Sequence, residues 1–190
     1  MKNILIITAH PSENGFTHKI AKKYFDIRKK LGDQVDIINL YKTKYKQNFF
    51  SFENKQYKNK LTREQKYFQK KIFLADRLVF IFPIWTGDAP SILKNWFDWN
   101  ITPRFAFTYS HGMVKGLLKG REVCVITTLG GSVFLYKIFG LYGAIKTIWK
   151  RFRIGFSGMN LKKMYMFGGF DTGFVKRDKI LKKIEKIALK

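Results

Sequence analysis

Short, unbroken apolar runs constrain this chain more than any other feature in it. Ile4-Leu5-Ile6-Ile7, Leu78-Val79-Phe80-Ile81-Phe82 and Val123-Cys124-Val125-Ile126 are of strand length, yet none alternates apolar with polar residues. A strand with one wet face must alternate, so these runs belong to strands buried on both faces. They extend to Asn3–Ala9, Arg77–Phe82 and Arg121–Thr128, with Val35–Leu40 and Met164–Phe167 as further strands. Helical spacing fills the intervals. Phe16 to Leu31 carries Ile20, Tyr24, Ile27 and Leu31 on one stripe and stops at Gly32; Lys176 to Leu189 does the same with Ile180, Ile184 and Ile187. Further helices are expected at Thr62–Ala75, Ser91–Trp99 and Phe139–Phe152, the first opened by a Thr62/Gln65 capping box and the last interrupted by Gly140 and Gly143. Residues 41–60, rich in Lys, Asn and aromatics, read as a long irregular connection. Five buried strands alternating with helices call for one α/β domain over residues 1–190, a parallel sheet covered on both faces.

Composition supports a packed core and narrows the partners. With 46% hydrophobic and 17% aromatic residues in 190, the chain is not disordered as a whole. Its formal charge of +24 attracts polyanions, but the lysines are scattered and no nucleic-acid motif accompanies them, so they read as a solvated face. Cys124 stands alone inside an apolar run, which excludes an internal disulfide and fits a reducing compartment. The apolar run after Met1-Lys2-Asn3 is too short for a signal peptide, and Leu129–Ile145 is too broken for a membrane span, so cytoplasm is the expected location.

In open parallel sheets, ligands sit beyond the carboxyl ends of the strands. Three loops lie there. The first places His10, Ser12, Asn14 and Gly15 ahead of Phe16 and Thr17, where a helix begins and its free amides favour a phosphate. The second, Pro83-Ile84-Trp85-Thr86-Gly87, offers backbone amides and an aromatic plane against which a flat ring would lie. In the third, Thr127, Thr128, Gly130 and Gly131 supply hydroxyls and open backbone for a ring's polar edge. Each loop also has a bland reading, as a helix cap, a strand-to-helix turn or a flexible connection. Their coincidence points to a phosphorylated heterocycle.

At these same residues the chain resembles the flavodoxin-like NAD(P)H dehydrogenase (quinone) family, which includes DT-diaphorase, bacterial quinone reductases and potassium-efflux ancillary oxidoreductases. The likeness is colinear over nearly the whole chain. It rests on Ala9-His10-Pro11, Phe82-Pro83-Ile84-Trp85, Ala89 to Phe97, Phe105 to Tyr109, Gly116 to Arg121 and Thr127 to Gly131. The resemblance implies a three-layer flavodoxin-like fold with strand order 2-1-3-4-5 and a bound flavin, FMN or alternatively FAD, with the compact loops favouring FMN. It implies hydride transfer from NAD(P)H to a quinone or similar acceptor in ping-pong order, and a homodimer in which Phe107 and Tyr109 close over the neighbouring flavin. Tyr109 and Tyr136 are then candidates to donate a proton or orient the acceptor, with His111 a further one. Gly15 departs from a frequent Ser in relatives, and Thr86 from a frequent second aromatic.

Two other readings stay open on the residues. One is a flavin-binding regulatory or ancillary module seated on an acidic membrane surface or at a membrane protein's cytoplasmic face through its lysines and the basic aromatic stretch Lys146–Arg153. The other is a nucleic-acid binder using Tyr41 to Tyr57.

Overall fold

Buried strands of this kind need cover on both faces, and the computed structural model supplies it; residues 1–51, 61–173 and 175–190 are described. In chain order the elements are β1 (Asn3–Thr8), α1 (Phe16–Lys30), β2 (Gln34–Asn39), α2 (Arg63–Leu74), β3 (Arg77–Pro83), α3 (Ser91–Asn100), β4 (Phe107–Ser110), β5 (Met113–Gly116), β6 (Glu122–Thr128), α4 (Val133–Ile138), α5 (Leu141–Thr147), β7 (Asn160–Phe167) and α6 (Arg177–Ala188). Five strands form one parallel sheet in the order β2-β1-β3-β6-β7, the 2-1-3-4-5 order of the flavodoxin-like fold.

Successive strand side chains point to opposite faces, so each apolar run feeds two cores. Leu5, Ile7, Phe80, Phe82, Val123 and Val125 pack under α2, α3 and α5, against Phe68, Ile72, Leu93, Trp96 and Ile145. Ile4, Ile6, Val79, Ile81 and Ile126 face the other way, under Ile20 and Tyr24 of α1 and Ile184 of α6. Trp149, fully buried, stacks on Phe82 with ring centroids 5.0 Å apart. Cys124 is buried too, and that burial pushes its thiol up to about 12, far from reactive thiolate. Thr62 opens α2 with the expected reciprocal capping box.

The structure departs from the expected elements in three places. The helix expected over Phe139–Phe152 is divided: α4 starts six residues earlier, capped by the Ser132 hydroxyl, and Gly140 at φ +72° separates it from α5. α5 then widens into a π-helical turn over Ile148–Ile154. α4 is only six residues long and apolar at five of them, so it shows no stripe set off by a polar side for a periodicity argument to detect. Next, β4 and β5 form an antiparallel hairpin turning on His111 and Gly112, both at positive φ. Third, β7 begins at Asn160 rather than Met164, because Lys162 and Lys163 of this edge strand are exposed and hide its first half. Residues 41–51 form neither helix nor strand, while 52–60, including Tyr57, lie outside the described residues. Among the described residues, no helix is long and apolar enough to cross a membrane.

Candidate functional site

The carboxyl ends of β1, β3, β6 and β7 meet at a crevice of about 630 Å³. It is lined by residues of all three expected loops: His10, Phe16 and Thr17; Pro83, Ile84, Trp85 and Thr86; Thr128, Leu129 and Gly130. The sheet itself holds the loops together. The Ala9 amide donates to the Ile81 carbonyl at 3.2 Å, and the Ile84 amide to the Thr128 carbonyl at 2.7 Å.

The β1 end is built for an anion. α1 has 15 residues, no side-chain cap and no acidic residue in its first turn, so its positive end and its Phe16 and Thr17 amides face the crevice unneutralised. Thr17 adds a buried hydroxyl. A side chain at Gly15 would bring its Cβ to 2.6 Å from His10 Nδ1, which accounts for glycine there. His10 is itself held by the Ser12 amide, which donates to Nδ1 at 3.1 Å, and it lies beside the Trp85 ring with centroids 6.0 Å apart. Asn14 is exposed and outside the lining.

At the β3 end, Trp85 and Asp88 exchange backbone hydrogen bonds of 2.9 and 3.0 Å around Thr86 and Gly87. Thr86 at φ +48° and Gly87 at +79° make this a two-residue turn with both central residues left-handed. Gly87 adopts that freely; a β-branched threonine does so at a cost, which marks the turn as held from outside. The holder is Arg153, whose nearly buried guanidinium pairs with the Asp88 carboxylate and lies over the Trp149 ring at 5.1 Å. Trp85 itself is 43% exposed, a surface plane rather than a core side chain.

At the β6 end the two glycines serve close packing. The Gly169 amide donates to the Gly131 carbonyl at 2.7 Å, and a Cβ on Gly168 would lie 2.5 Å from that oxygen. A Cβ on Gly130 would collide with the Asp171 carboxylate. Thr128 lines the crevice, whereas Thr127 is turned away, its hydroxyl donating to the Tyr165 carbonyl at 3.3 Å.

This contact introduces a fourth strand-end segment that the sequence reading passed over. Phe170, Asp171 and Arg177, after β7 and at the start of α6, complete the lining. The Phe16 ring binds them together, 5.4 Å from Phe170 and 5.8 Å beneath the Arg177 guanidinium. The signal was present as Gly168-Gly169 directly after an apolar strand. Phe107, Tyr109 and Tyr136 are elsewhere: Phe107 is buried in the hairpin against Phe156 with centroids 4.5 Å apart, Tyr109 is 63% exposed, and Tyr136 is half-buried on α4. Taken together, the crevice is lined by the free start of α1 and the Arg177 cation, by the Pro83–Thr86 segment with the Trp85 indole, and by Thr128 to Gly130 with the Asp171 carboxylate.

Comparisons with known proteins agree with the fold. The family model described as flavodoxin-like fold matches residues 2–190. The chain is 28% identical over 166 residues to NAD(P)H dehydrogenase [quinone] 1 of Cavia porcellus, covering 78% of this chain and 60% of that protein's length. It is 32% identical over 142 residues to an uncharacterized NAD(P)H oxidoreductase of Haemophilus influenzae, covering 73% and 70%. Among solved structures, an FMN-dependent NADH-azoreductase of Bacillus anthracis in complex with FMN superposes with a TM-score of 0.73 at 25% identity, covering 100% and 98%. The chain thus belongs to the flavodoxin-like fold family, within which these relatives are named as NAD(P)H oxidoreductases.

Proposed function

We propose that this chain is one flavin-binding domain that carries FMN in the strand-end crevice and transfers a hydride from NAD(P)H to a quinone or similar flat acceptor in a reducing, cytoplasmic setting. The observation that carries the reading is the crevice itself: an uncapped helix start and the Pro83–Thr86 segment line one space of about 630 Å³. FMN is preferred to FAD because the azoreductase relative is described with FMN bound.

In this reading the Phe16 and Thr17 amides, the Thr17 hydroxyl and Arg177 hold the phosphate, each hydrogen bond strengthened by the ligand's charge. Pro83 to Gly87 carry the ring along their backbone, and His10 and Trp85 close one side. Thr128, Gly130 and Gly131, backed by Thr127 in the sheet, face the ring's polar edge and stabilise negative charge developing there. The flavin, when bound, supplies the hydride chemistry. Donor and acceptor take turns in the open space beside Trp85, which makes the order ping-pong. A second copy pairing through the hairpin, where Tyr109, Met113 and Val114 are exposed, would bring Phe107 and Tyr109 toward the neighbouring crevice. Tyr109 and Tyr136 then orient the acceptor and deliver a proton to its oxygen.

The test is the visible spectrum of the purified protein, with mass identification of the released chromophore and NAD(P)H oxidation in the presence of a soluble quinone. Yellow protein releasing FMN and oxidising the nucleotide supports the reading. Colourless protein that neither takes up FMN nor consumes NAD(P)H overturns it.

A further inference from the structure

One charged group in the crevice has no part in the redox reading above. Asp171 lines the space beside Gly130, and Arg177 lines it farther along the chain. Neither takes part in an ion pair among the described residues. A carboxylate in a space that receives a phosphate opposes the ligand's charge, so its presence calls for a partner of another kind.

The backbone holds that carboxylate in place. Asp171 is the middle residue of a single 3-10 turn, Phe170–Thr172, with Gly169 at φ +88° before it and Gly173 at φ +72° after it. Three successive amides lace this turn to the third loop: Gly169 donates to the Gly131 carbonyl at 2.7 Å, Phe170 to that of Leu129 at 3.3 Å and Asp171 to that of Gly130 at 3.2 Å. The Thr172 hydroxyl closes the turn on the Gly169 carbonyl at 2.7 Å. The carboxylate stands over the Gly130 Cα, in the volume that a side chain at that position would take. On the other flank the Phe170 ring meets Phe16, at the start of α1, with centroids 5.4 Å apart. Asp171 therefore lies between the helix start, with its free amides, and the third loop.

A carboxylate accepts hydrogen bonds and donates none, so its partner is a donor or a cation. Neutralising Arg177 would require the two to pair, and the structure keeps them apart. A divalent cation needs several oxygen ligands, and among the described residues no group of three or more His, Cys, Asp or Glu is placed to hold one. Hydroxyls meet the requirement, and a polyol chain between a phosphate and a ring would bring them there. We infer that Asp171 accepts hydrogen bonds from the hydroxyls of that linking chain, and so selects a polyol-linked ligand over other phosphorylated heterocycles. The inference rests on the FMN reading above, in which the linker is the ribityl chain. The two unpaired charges then divide the ligand between them, Arg177 taking the phosphate and Asp171 the hydroxyls, each through charge-assisted hydrogen bonds.

Titration of the full chain with riboflavin, FMN and lumiflavin, the ring without its side chain, tests this through the quenching of flavin fluorescence. Asp171→Ala should weaken riboflavin binding about tenfold, the usual effect of losing a hydrogen bond to a charged group. FMN should lose less, because the same change removes a negative charge from the surroundings of its phosphate. Lumiflavin binding and the melting temperature of the flavin-free chain should not change. Asp171→Asn, which keeps an acceptor oxygen, should lose less than Asp171→Ala. Asp178→Asn, at an exposed acid in the first turn of α6 outside the crevice lining, should leave all three titrations as they were. Equal weakening of riboflavin, FMN and lumiflavin by Asp171→Ala would mean that the side chain only shapes the crevice, and would overturn the inference. So would FMN binding that EDTA abolishes and magnesium restores, since Asp171 would then be a metal ligand. A wild-type chain that binds no flavin removes the FMN reading and this inference together; one that binds FMN, with riboflavin held equally well after Asp171→Ala, removes this inference alone.

Discussion

The two edges of the sheet are built from the same strands and treat charge in opposite ways. At the amino-terminal edge, partners are matched: the Lys2 ammonium and the Arg77 guanidinium both converge on Glu122, at 2.9 and 2.8 Å. Beside them the Asn3 amide donates to the Asp76 carboxylate at 2.8 Å, the Lys2 amide donates to Asp33 at 2.7 Å, and Arg28 pairs with Asp33 in a nearly buried contact. At the carboxyl-terminal edge Arg153 and Asp88 are paired beneath the Trp85 turn, but groups that line the crevice are left unmatched. The start of α1 is uncapped, Thr86 sits at positive φ, and Arg177 has no ion pair among the described residues. One edge stabilises the chain by satisfying its own groups. The other leaves donors and a cation free, and free groups are what a ligand requires.

That contrast can be broken deliberately. The largest effect is expected from Arg177→Glu, which places a like charge beside the proposed phosphate and should weaken FMN binding roughly a hundredfold while leaving the melting temperature of the flavin-free protein unchanged. A titration indistinguishable from wild type would remove Arg177 from the phosphate end. Gly168→Ala comes next, because its Cβ would meet the Gly131 carbonyl at 2.5 Å and the Val133 amide at 2.9 Å, backbone atoms with nowhere to go. Denaturant unfolding should report a loss of about 1–3 kcal/mol, accompanied by weaker FMN binding, since the two strand-end segments part together.

Glu122→Gln probes the matched edge, and should cost about 1–2 kcal/mol at neutral pH without altering FMN affinity. Hydrogen bonds from Lys2 and Arg77 lower the Glu122 carboxyl from its ordinary 4.5 to about 2. A depressed carboxyl contributes stability above its unfolded value and loses it as the proton binds. The gap between variant and wild type should therefore hold above about pH 4.5 and close toward about 2; a gap that widened on acidification would contradict the pairing. The smallest expected effect is Thr86→Gly, a gain of about 0.5–1 kcal/mol as the left-handed backbone loses its steric cost, seen as a slightly raised melting temperature.

How far the chain was legible from its residues varied with burial. β1, β3 and β6 are central strands covered on both faces, so their apolar runs stand out in the sequence, and their carboxyl ends mark the three loops. β7 was shortened, because an edge strand keeps polar side chains such as Lys162 and Lys163. α4 escapes a periodicity argument, because six residues of which five are apolar show no stripe against a polar side. Within the site, His10, Phe16, Thr17, Pro83 to Thr86, Thr128 and Gly130 do converge on one crevice. Phe170, Asp171 and Arg177 were overlooked, since what brings them in is a glycine-on-glycine contact between distant loops, which no local pattern encodes.

The residues alone determined the layered α/β architecture, the carboxyl edge as the place to look and the helix start suited to a phosphate, because burial and helix termini act over a few neighbours in the chain. Only the tertiary structure decided which groups share the crevice and which do not: Thr127 turned into the sheet, Arg153 reaching across 65 positions to hold the Trp85 turn, Tyr109 carried off on a hairpin. Those outcomes depend on contacts between segments far apart in sequence, and packing geometry settles them only once the sheet has assembled.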